Sequence, residues 1–125
     1  MDIDDMEAAV SEAARVLKKG GAMCACVTHP IADAGRFQSL EPDAPFVIQG
    51  TYLGPRRWIH IPIERDGKRM EFAGWCYSLE GYFRPLENSG FVVEAVREPP
   101  TKEDNPPEHR WRRIPLFLMW RARKP

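Results

Sequence analysis

Apolar residues recur with helical spacing near the start of the chain. Intervals of three and four residues predict one helix over about residues 5–18 with a single buried face. Asp4 followed by Glu7 has the spacing of a capping box, and Gly20 with Gly21 supplies a left-handed stop. The apolar positions are Met6, Ala9, Val10, Ala13, Val16 and Leu17.

A continuous apolar run follows the two glycines. Residues 22–28, Ala-Met-Cys-Ala-Cys-Val-Thr, end just before Pro30 and predict a strand covered on both faces, as in a parallel sheet. Helix, glycine pair and buried strand together predict an α/β fold. Cys24, Cys26 and Cys76 are expected to be free thiols, the first two as small buried hydrophobes.

The middle of the chain changes character. Residues 30–45 show no period and predict a loop with room for a short helix. Asp66-Gly67 is a two-residue hairpin signal. Strands predicted from β-branched and aromatic residues span 46–53, 57–65 and 68–72. The segment 30–76 is therefore interpreted as a variable loop and antiparallel hairpin insertion.

The last part of the chain returns to long elements. Ser78 predicts the cap of a helix that ends at Gly90, with a kink or short last turn caused by Pro85. Two strands, 91–96 and 116–121, flank a proline-rich loop at 99–107.

Charge and hydropathy exclude some partners. The 18 basic and 18 acidic residues balance, so no general field attracts nucleic acid or an anionic membrane. The basic run 109–113, His-Arg-Trp-Arg-Arg, favours a solvated loop over a nucleic-acid patch. The longest apolar run is too short to span a bilayer and the first residues are acidic, which predicts a cytoplasmic protein.

Three segments carry a family resemblance. Residues 12–21, Glu-Ala-Ala-Arg-Val-Leu-Lys-Lys-Gly-Gly, resemble the E-x-x-R-V-L-K-P-G-G stretch of class I S-adenosylmethionine-dependent methyltransferases of the methyltransferase-11 type. Residues 79–91 resemble the family's last helix running into strand six, and 115–123 its antiparallel strand seven. The resemblance implies one domain over 1–125, a partial Rossmann-like sheet of family strands five, seven and six with covering helices.

The sequence also departs from the family. Lys19 replaces the usual proline, and Cys76-Tyr77-Ser78 stands where relatives often carry His-Arg before the last helix. No Gly-x-Gly turn follows a strand, so the donor-binding half is missing. Residues 1–5 match the stretch after strand four, which predicts a start in mid-domain, whether through a misassigned start, an experimental fragment or a truncated gene. The resemblance thus implies S-adenosylmethionine as the cofactor of the full-length family member. For this chain the alternative is no cofactor, and little activity of its own is expected.

His29 is the candidate catalytic residue. It follows the apolar strand, and ligands of open parallel sheets bind outside the carboxyl ends of the strands. We predict that His29 acts as a base or hydrogen-bond partner for the molecule that accepts the methyl group. The alternative is that His29 only caps the end of the strand. Asp2 and Asp4 match a loop that approaches the donor, although helix capping explains Asp4 equally well.

A set of mostly aromatic residues is the candidate binding site for the methyl acceptor. The insertion is predicted to close as a lid over a small-molecule acceptor, and the alternative is a satellite core under a hairpin. The proposed substrate-binding residues are Pro30, Tyr52, Trp58, Trp75 and Tyr77. Cys24-x-Cys26-x-x-His29 has no recognised zinc spacing, so no metal site is predicted.

Two functions from different classes remain open. The first is methyl transfer to a small molecule, with this chain as the substrate-side half. The second is a non-catalytic homodimeric module that binds a partner or a small ligand: without family strand four, the strand at 22–28 has an unpaired edge that could pair with a second copy.

Overall fold

A computed structural model describes residues 2–59, 62–100 and 109–125. Helices α1 to α3 span Met6–Val16, Pro30–Ala34 and Leu79–Asn88, and a 3₁₀ turn spans Arg110–Arg112. Strands β1 to β9 span Ala22–Thr28, Gly35–Phe37, Phe46–Ile48, Arg56–Ile59, Ile63–Arg65, Lys68–Met70, Ala73–Cys76, Val92–Arg97 and Phe117–Arg123.

The main sheet has the order β1-β9-β8, with both pairings antiparallel. The last strand of the chain lies between the other two, so Cys26 pairs with Met119 and Val96 with Trp120. A bulge at Glu94 shifts the β8 register. Within the described residues β1 pairs only with β9, which leaves its other edge open.

Helices α1 and α3 pack on one face of this sheet. Alternation along β9 turns Leu118, Trp120 and Ala122 toward the helices. The Tyr82 ring of α3 lies 5.5 Å from the rings of both Tyr77 and Trp120. The buried core consists of Met6, Val10, Tyr77, Tyr82, Leu86, Phe91, Leu118, Trp120 and Ala122.

The prediction that β1 is covered on both faces is wrong. Cys24 and Cys26 are exposed, whereas Met23, Ala25 and Val27 are partly buried against the core. No described element covers the opposite face of the sheet, so alternate side chains of an apolar run reach solvent. The predicted burial of these two thiols is therefore wrong too, although Cys76 is buried and all three are free.

The ends of the two long helices follow capping chemistry. Asp5, not Asp4, caps α1: its carboxylate accepts from the backbone N–H of Ala8 at 2.9 Å, because the helix begins one residue later than the capping-box spacing indicated. Ser78 caps α3 as predicted, with Oγ accepting from Gly81 at 3.1 Å. Pro85 lies inside α3, yet the helix continues to Asn88.

The insertion forms three separate two-stranded pairs. These are β2-β3, β4-β7 and β5-β6, all antiparallel. The predicted Asp66-Gly67 turn is confirmed: both residues have positive φ, 52° and 70°, and they join β5 to β6. Strands β2 and β7, which are three and four residues long, fall where no strand was predicted.

Candidate functional site

His29 lies at the carboxyl end of β1 and begins α2. Its Nδ1 accepts from the backbone N–H of Ile31 at 3.1 Å, so the ring proton is on Nε2, which donates to Glu98 at 2.8 Å. The residue is 1% exposed, while the Glu98 side chain is 55% exposed. His29 thus links the start of α2 to the end of β8, and both of its ring nitrogens are hydrogen-bonded. Its catalytic role stays a prediction.

A groove of about 570 Å³ lies between the start of α1 and the start of α3. Asp4, Asp5 and Tyr77 line it. The hydroxyl of Tyr77 donates to the backbone oxygens of Ile3 at 3.0 Å and Asp4 at 2.7 Å. Burial first, and then the nearby carboxylates of Asp4 and Asp5, raise the pKa of Tyr77, so its hydroxyl remains a donor.

Five of the predicted site residues fall into two groups. Asp4 and Tyr77 meet in the groove, and the Tyr52 hydroxyl accepts from the backbone N–H of Leu79 at 3.0 Å, at the start of α3. His29 and Pro30 lie at the end of β1, where Pro30 is buried in the first turn of α2.

The remaining predicted site residues belong to neither group. Asp2 is exposed, and Trp75 packs against the main core as a partly buried side chain. The side chain of Trp58 lies outside the described part of the structure.

A cavity beside β4 and β7 was missed by the sequence reasoning. Its volume is about 240 Å³, and its lining includes Asp33, Gln49, Arg56 and Cys76. Register places Arg56 directly opposite Cys76, on one face of the hairpin. Neither the register nor β7 can be inferred from residues 56–76, which is why Arg56 gave no signal.

The Cys76 thiol in this cavity is not activated as a nucleophile. Burial, and next the Asp33 carboxylate, raise the pKa of Cys76 to about 12. A thiol with such a pKa stays protonated near neutral pH and is a poor nucleophile. It is a donor to Asp33 instead.

The basic run at 109–113 includes a short 3₁₀ turn in which no residue is buried, and its arginines make contacts within the chain. Arg113 Nη1 donates to the carbonyl of Ala44 at 2.7 Å, and Arg110 Nη1 to that of Leu40 at 3.0 Å. Both guanidinium carbons lie 5.8 Å from the centre of the Phe37 ring. These arginines satisfy loop carbonyls because the chain folds back on β2 and β3.

Within residues 2–59, 62–100 and 109–125, no three side chains of His, Cys, Asp or Glu form a group that could hold a metal ion. Nor does any helix of that part have the length and apolar character needed to cross a membrane.

Comparison with solved structures defines the class of fold. A structure described as an S-adenosylmethionine-dependent methyltransferase from Listeria monocytogenes superposes with a TM-score of 0.73 over 99% of this chain, at 18% identity. One from Mesorhizobium loti, also described as S-adenosylmethionine dependent, gives a TM-score of 0.72 over 97%, at 21% identity. The chain therefore has a fold found in these methyltransferases, an α/β fold in which all strand pairings of the described residues are antiparallel.

The chain spans little more than half of these neighbours: 57% of the Listeria chain and 56% of the Mesorhizobium chain. No protein-family profile matches it, and no curated protein sequence does.

Proposed function

We propose that this chain is the substrate-side half of an S-adenosylmethionine-dependent methyltransferase that acts on a small molecule. The supporting observation is a fold likeness that covers 99% of this chain but 57% of the neighbour. In this proposal β1, β9 and β8 correspond to family strands five, seven and six, and residues 30–76 form the acceptor lid. The order β1-β9-β8, with antiparallel β9 in the middle, supports this correspondence.

The described residues do not form a donor cradle. None of the described strands is followed in the sequence by a Gly-x-Gly turn that would let a ligand approach the backbone. The groove at Asp4 and Tyr77 is open and lies between two helix starts, so it can border a donor but not enclose one. We therefore propose that the chain has little or no activity alone.

His29 has a supporting role in this proposal. Its single ring lone pair is taken by the Ile31 N–H, so the geometry favours hydrogen bonding over proton abstraction. Breaking the part-buried contact between Nε2 and Glu98 would free this N–H to donate to a methyl acceptor near the end of β1. Pro30, Tyr52, Trp58, Trp75 and Tyr77 are proposed as acceptor contacts.

Calorimetric titration with S-adenosylmethionine and its demethylated product tests the proposal. A folded chain should bind neither at micromolar concentration. A longer protein, translated from any in-frame DNA upstream that encodes a strand and glycine-rich turn, should bind both. Micromolar binding by the chain alone would contradict its dependence on a donor half, and failure of such a longer protein to bind would contradict the methyltransferase assignment.

A homodimeric module is the second candidate, favoured by the open edge of β1 and the apolar sheet face beside it. Exposed Met119 and Cys26 lie opposite each other there, flanked by Phe117, which is 48% exposed. An apolar strand edge is a template for pairing with a second copy.

Light scattering distinguishes the candidates. Cys26→Lys should convert a dimer to a monomer, since it places a charge on that face, whereas Leu40→Lys, at a loop residue that is 79% exposed, should not. A wild-type chain that stays monomeric at micromolar concentration would exclude this candidate.

A further inference from the structure

Three sulfur-bearing side chains lie together on the uncovered face of the main sheet. Cys24 and Cys26 are both exposed and, because they are two positions apart on β1, they point to the same face. The register of β1 and β9 places Met119, which is 38% exposed, directly opposite Cys26. A cavity of about 400 Å³ is lined by all three residues. Two thiols and a thioether are therefore accessible at one place.

The spacing of these side chains suits a bridging metal ion better than a disulfide. Successive residues on one strand face are about 6.6 Å apart, whereas the Cβ atoms of a disulfide are only about 3.5 to 4.5 Å apart. Directly opposite residues of antiparallel strands have Cβ atoms about 4.5 to 5.5 Å apart. Because a metal–thiolate bond adds about 2.3 Å to each side chain, one ion between them can reach all three sulfurs.

The ligand set favours Cu(I) over zinc. Soft thiolate and thioether sulfurs select Cu(I), which needs fewer ligands than a structural zinc site with its four nitrogen or thiolate ligands. His29 is the nearest histidine along the chain, and both of its ring nitrogens are hydrogen-bonded. It therefore cannot complete a zinc set with the two thiols.

The charges around the cavity also suit a dithiolate complex. Binding of Cu(I) breaks two S–H bonds, forms two copper–sulfur bonds and releases two protons to solvent, so the complex carries one net negative charge. Arg97 and Arg121 line the same cavity, and Arg121 pairs with Glu94 at 2.9 Å. Within the described residues Arg97 donates only to a neutral acceptor, the backbone carbonyl of Val96 at 2.8 Å. Its positive charge can thus stabilise the complex.

We propose that Cys24, Cys26 and Met119 form a binding site for one Cu(I) ion per chain. The convergence of three sulfurs on one accessible sheet face carries the proposal. The site is built by β1 and β9 and needs no methyl donor, so it stands or falls independently of the proposed methyltransferase activity.

Anaerobic titration of the reduced chain with Cu(I), in competition with the chelator bicinchoninate, tests the site. We expect one copper to bind per chain, with only sulfur neighbours in X-ray absorption at the copper edge, and we expect zinc to bind more weakly in a parallel titration. The proposal is wrong if the chain does not compete for Cu(I), if zinc binds as tightly, if the copper has nitrogen or oxygen neighbours, or if two chains share one copper.

Single substitutions separate the roles of the sulfurs. Cys26→Ser should lower the Cu(I) affinity by more than about 100-fold, because loss of a direct ligand exceeds the cost of about 10- to 100-fold for an outer-shell partner. Met119→Leu keeps the side-chain volume and should lower the affinity by about tenfold, with two sulfur neighbours left at the copper. The matched controls are Met70→Leu, at a methionine of β6 that is also 38% exposed, and Cys76→Ala, at a buried thiol; neither should change the affinity.

Circular dichroism verifies that the variants are folded, as expected for substitutions at exposed positions. Wild-type affinity in Cys26→Ser, or a loss in Met70→Leu equal to that in Met119→Leu, would show that copper binds elsewhere and would overturn the proposal.

Discussion

The main sheet with α1 and α3 and the insertion at 30–76 are stabilised by different means. The first region buries a continuous apolar layer in which Leu86 and Ala122 are 0% exposed and Leu118 is 1% exposed. In the described part of the chain, no residue of the insertion belongs to the fully buried members of that layer. Its strands are paired by backbone hydrogen bonds. Contacts between aromatic rings and hydrogen bonds from arginines to backbone carbonyls also stabilise the insertion.

This difference indicates which region carries global stability. Burial of apolar area is the dominant favourable term in folding, and two-stranded pairs alone are marginal in water. The insertion should therefore open locally while the sheet and its helices remain folded. A lid over an acceptor needs that property.

The largest expected effect is at Leu86. Leu86→Ala leaves a cavity under α3 and should reduce the free energy of unfolding by about 2 to 5 kcal/mol. The matched variant Leu40→Ala, at 79% exposure in the insertion, should change it by less than about 0.5 kcal/mol. Urea denaturation followed by circular dichroism measures both, and comparable losses would contradict the contrast between the regions.

A smaller and local effect is expected at Phe37. Its ring lies 5.0 Å from both Phe46 and Trp111, edge to face, so Phe37→Ala should destabilise β2-β3 by about 1 to 3 kcal/mol. Amide hydrogen exchange should then accelerate at residues 35–37 and stay slow in β9. Equal acceleration in both places would show that the insertion and the sheet unfold together.

The same contrast explains what the sequence could predict. Strand β1 was predicted at its observed bounds and α3 from its cap, because long periodic segments and caps are local signals. The observed ends of α1 and β8 differ from the predicted ends by one or two residues, because fraying and competing caps determine where an element ends. Strands β2 and β7 were not predicted because they are stabilised by pairing with β3 and β4 rather than by a pattern in their own residues.

Site residues were predictable to a lesser degree. The position of His29 at the end of β1 was predictable because it is a property of the chain order, and its catalytic role stays a prediction. The cavity at Arg56 was not predictable, because it depends on the β4-β7 register. The structural use of Arg110 and Arg113 depends likewise on carbonyls about 70 residues away in sequence, which no local pattern encodes.

At the start of α1 we expect a change of about 1 kcal/mol in the free energy of unfolding. Asp5→Ala removes the cap on Ala8 and should cost about 0.5 to 2 kcal/mol of unfolding free energy. Asp4→Ala should cost less than about 0.5 kcal/mol, since Tyr77 contacts only the backbone oxygen of Asp4. If thermal denaturation shows the larger loss for Asp4→Ala, the capping box inferred from the sequence is the correct description.

The smallest expected effect is a pH dependence at Cys76, where the insertion reaches the buried interior. The pKa of Cys76 is raised from its ordinary 9.0 to about 12 in the folded chain. The unfolded thiol therefore loses its proton first as the pH rises, the folded state binds more protons, and stability must fall over this window. Between pH 9 and 10, below the ordinary pKa of the buried tyrosines, this one group should cost about 1 kcal/mol.

Comparison of wild type with Cys76→Ala isolates that contribution. The variant is expected to lose some packing energy at every pH, but its stability should change less from pH 9 to 10 than that of the wild type. Cys24→Ala, at an exposed thiol, should retain the wild-type slope. If Cys76→Ala retains it as well, the thiol is solvated in the folded chain. The β4-β7 hairpin would then not be anchored to the interior, and the cavity at Arg56 would lose one of its walls.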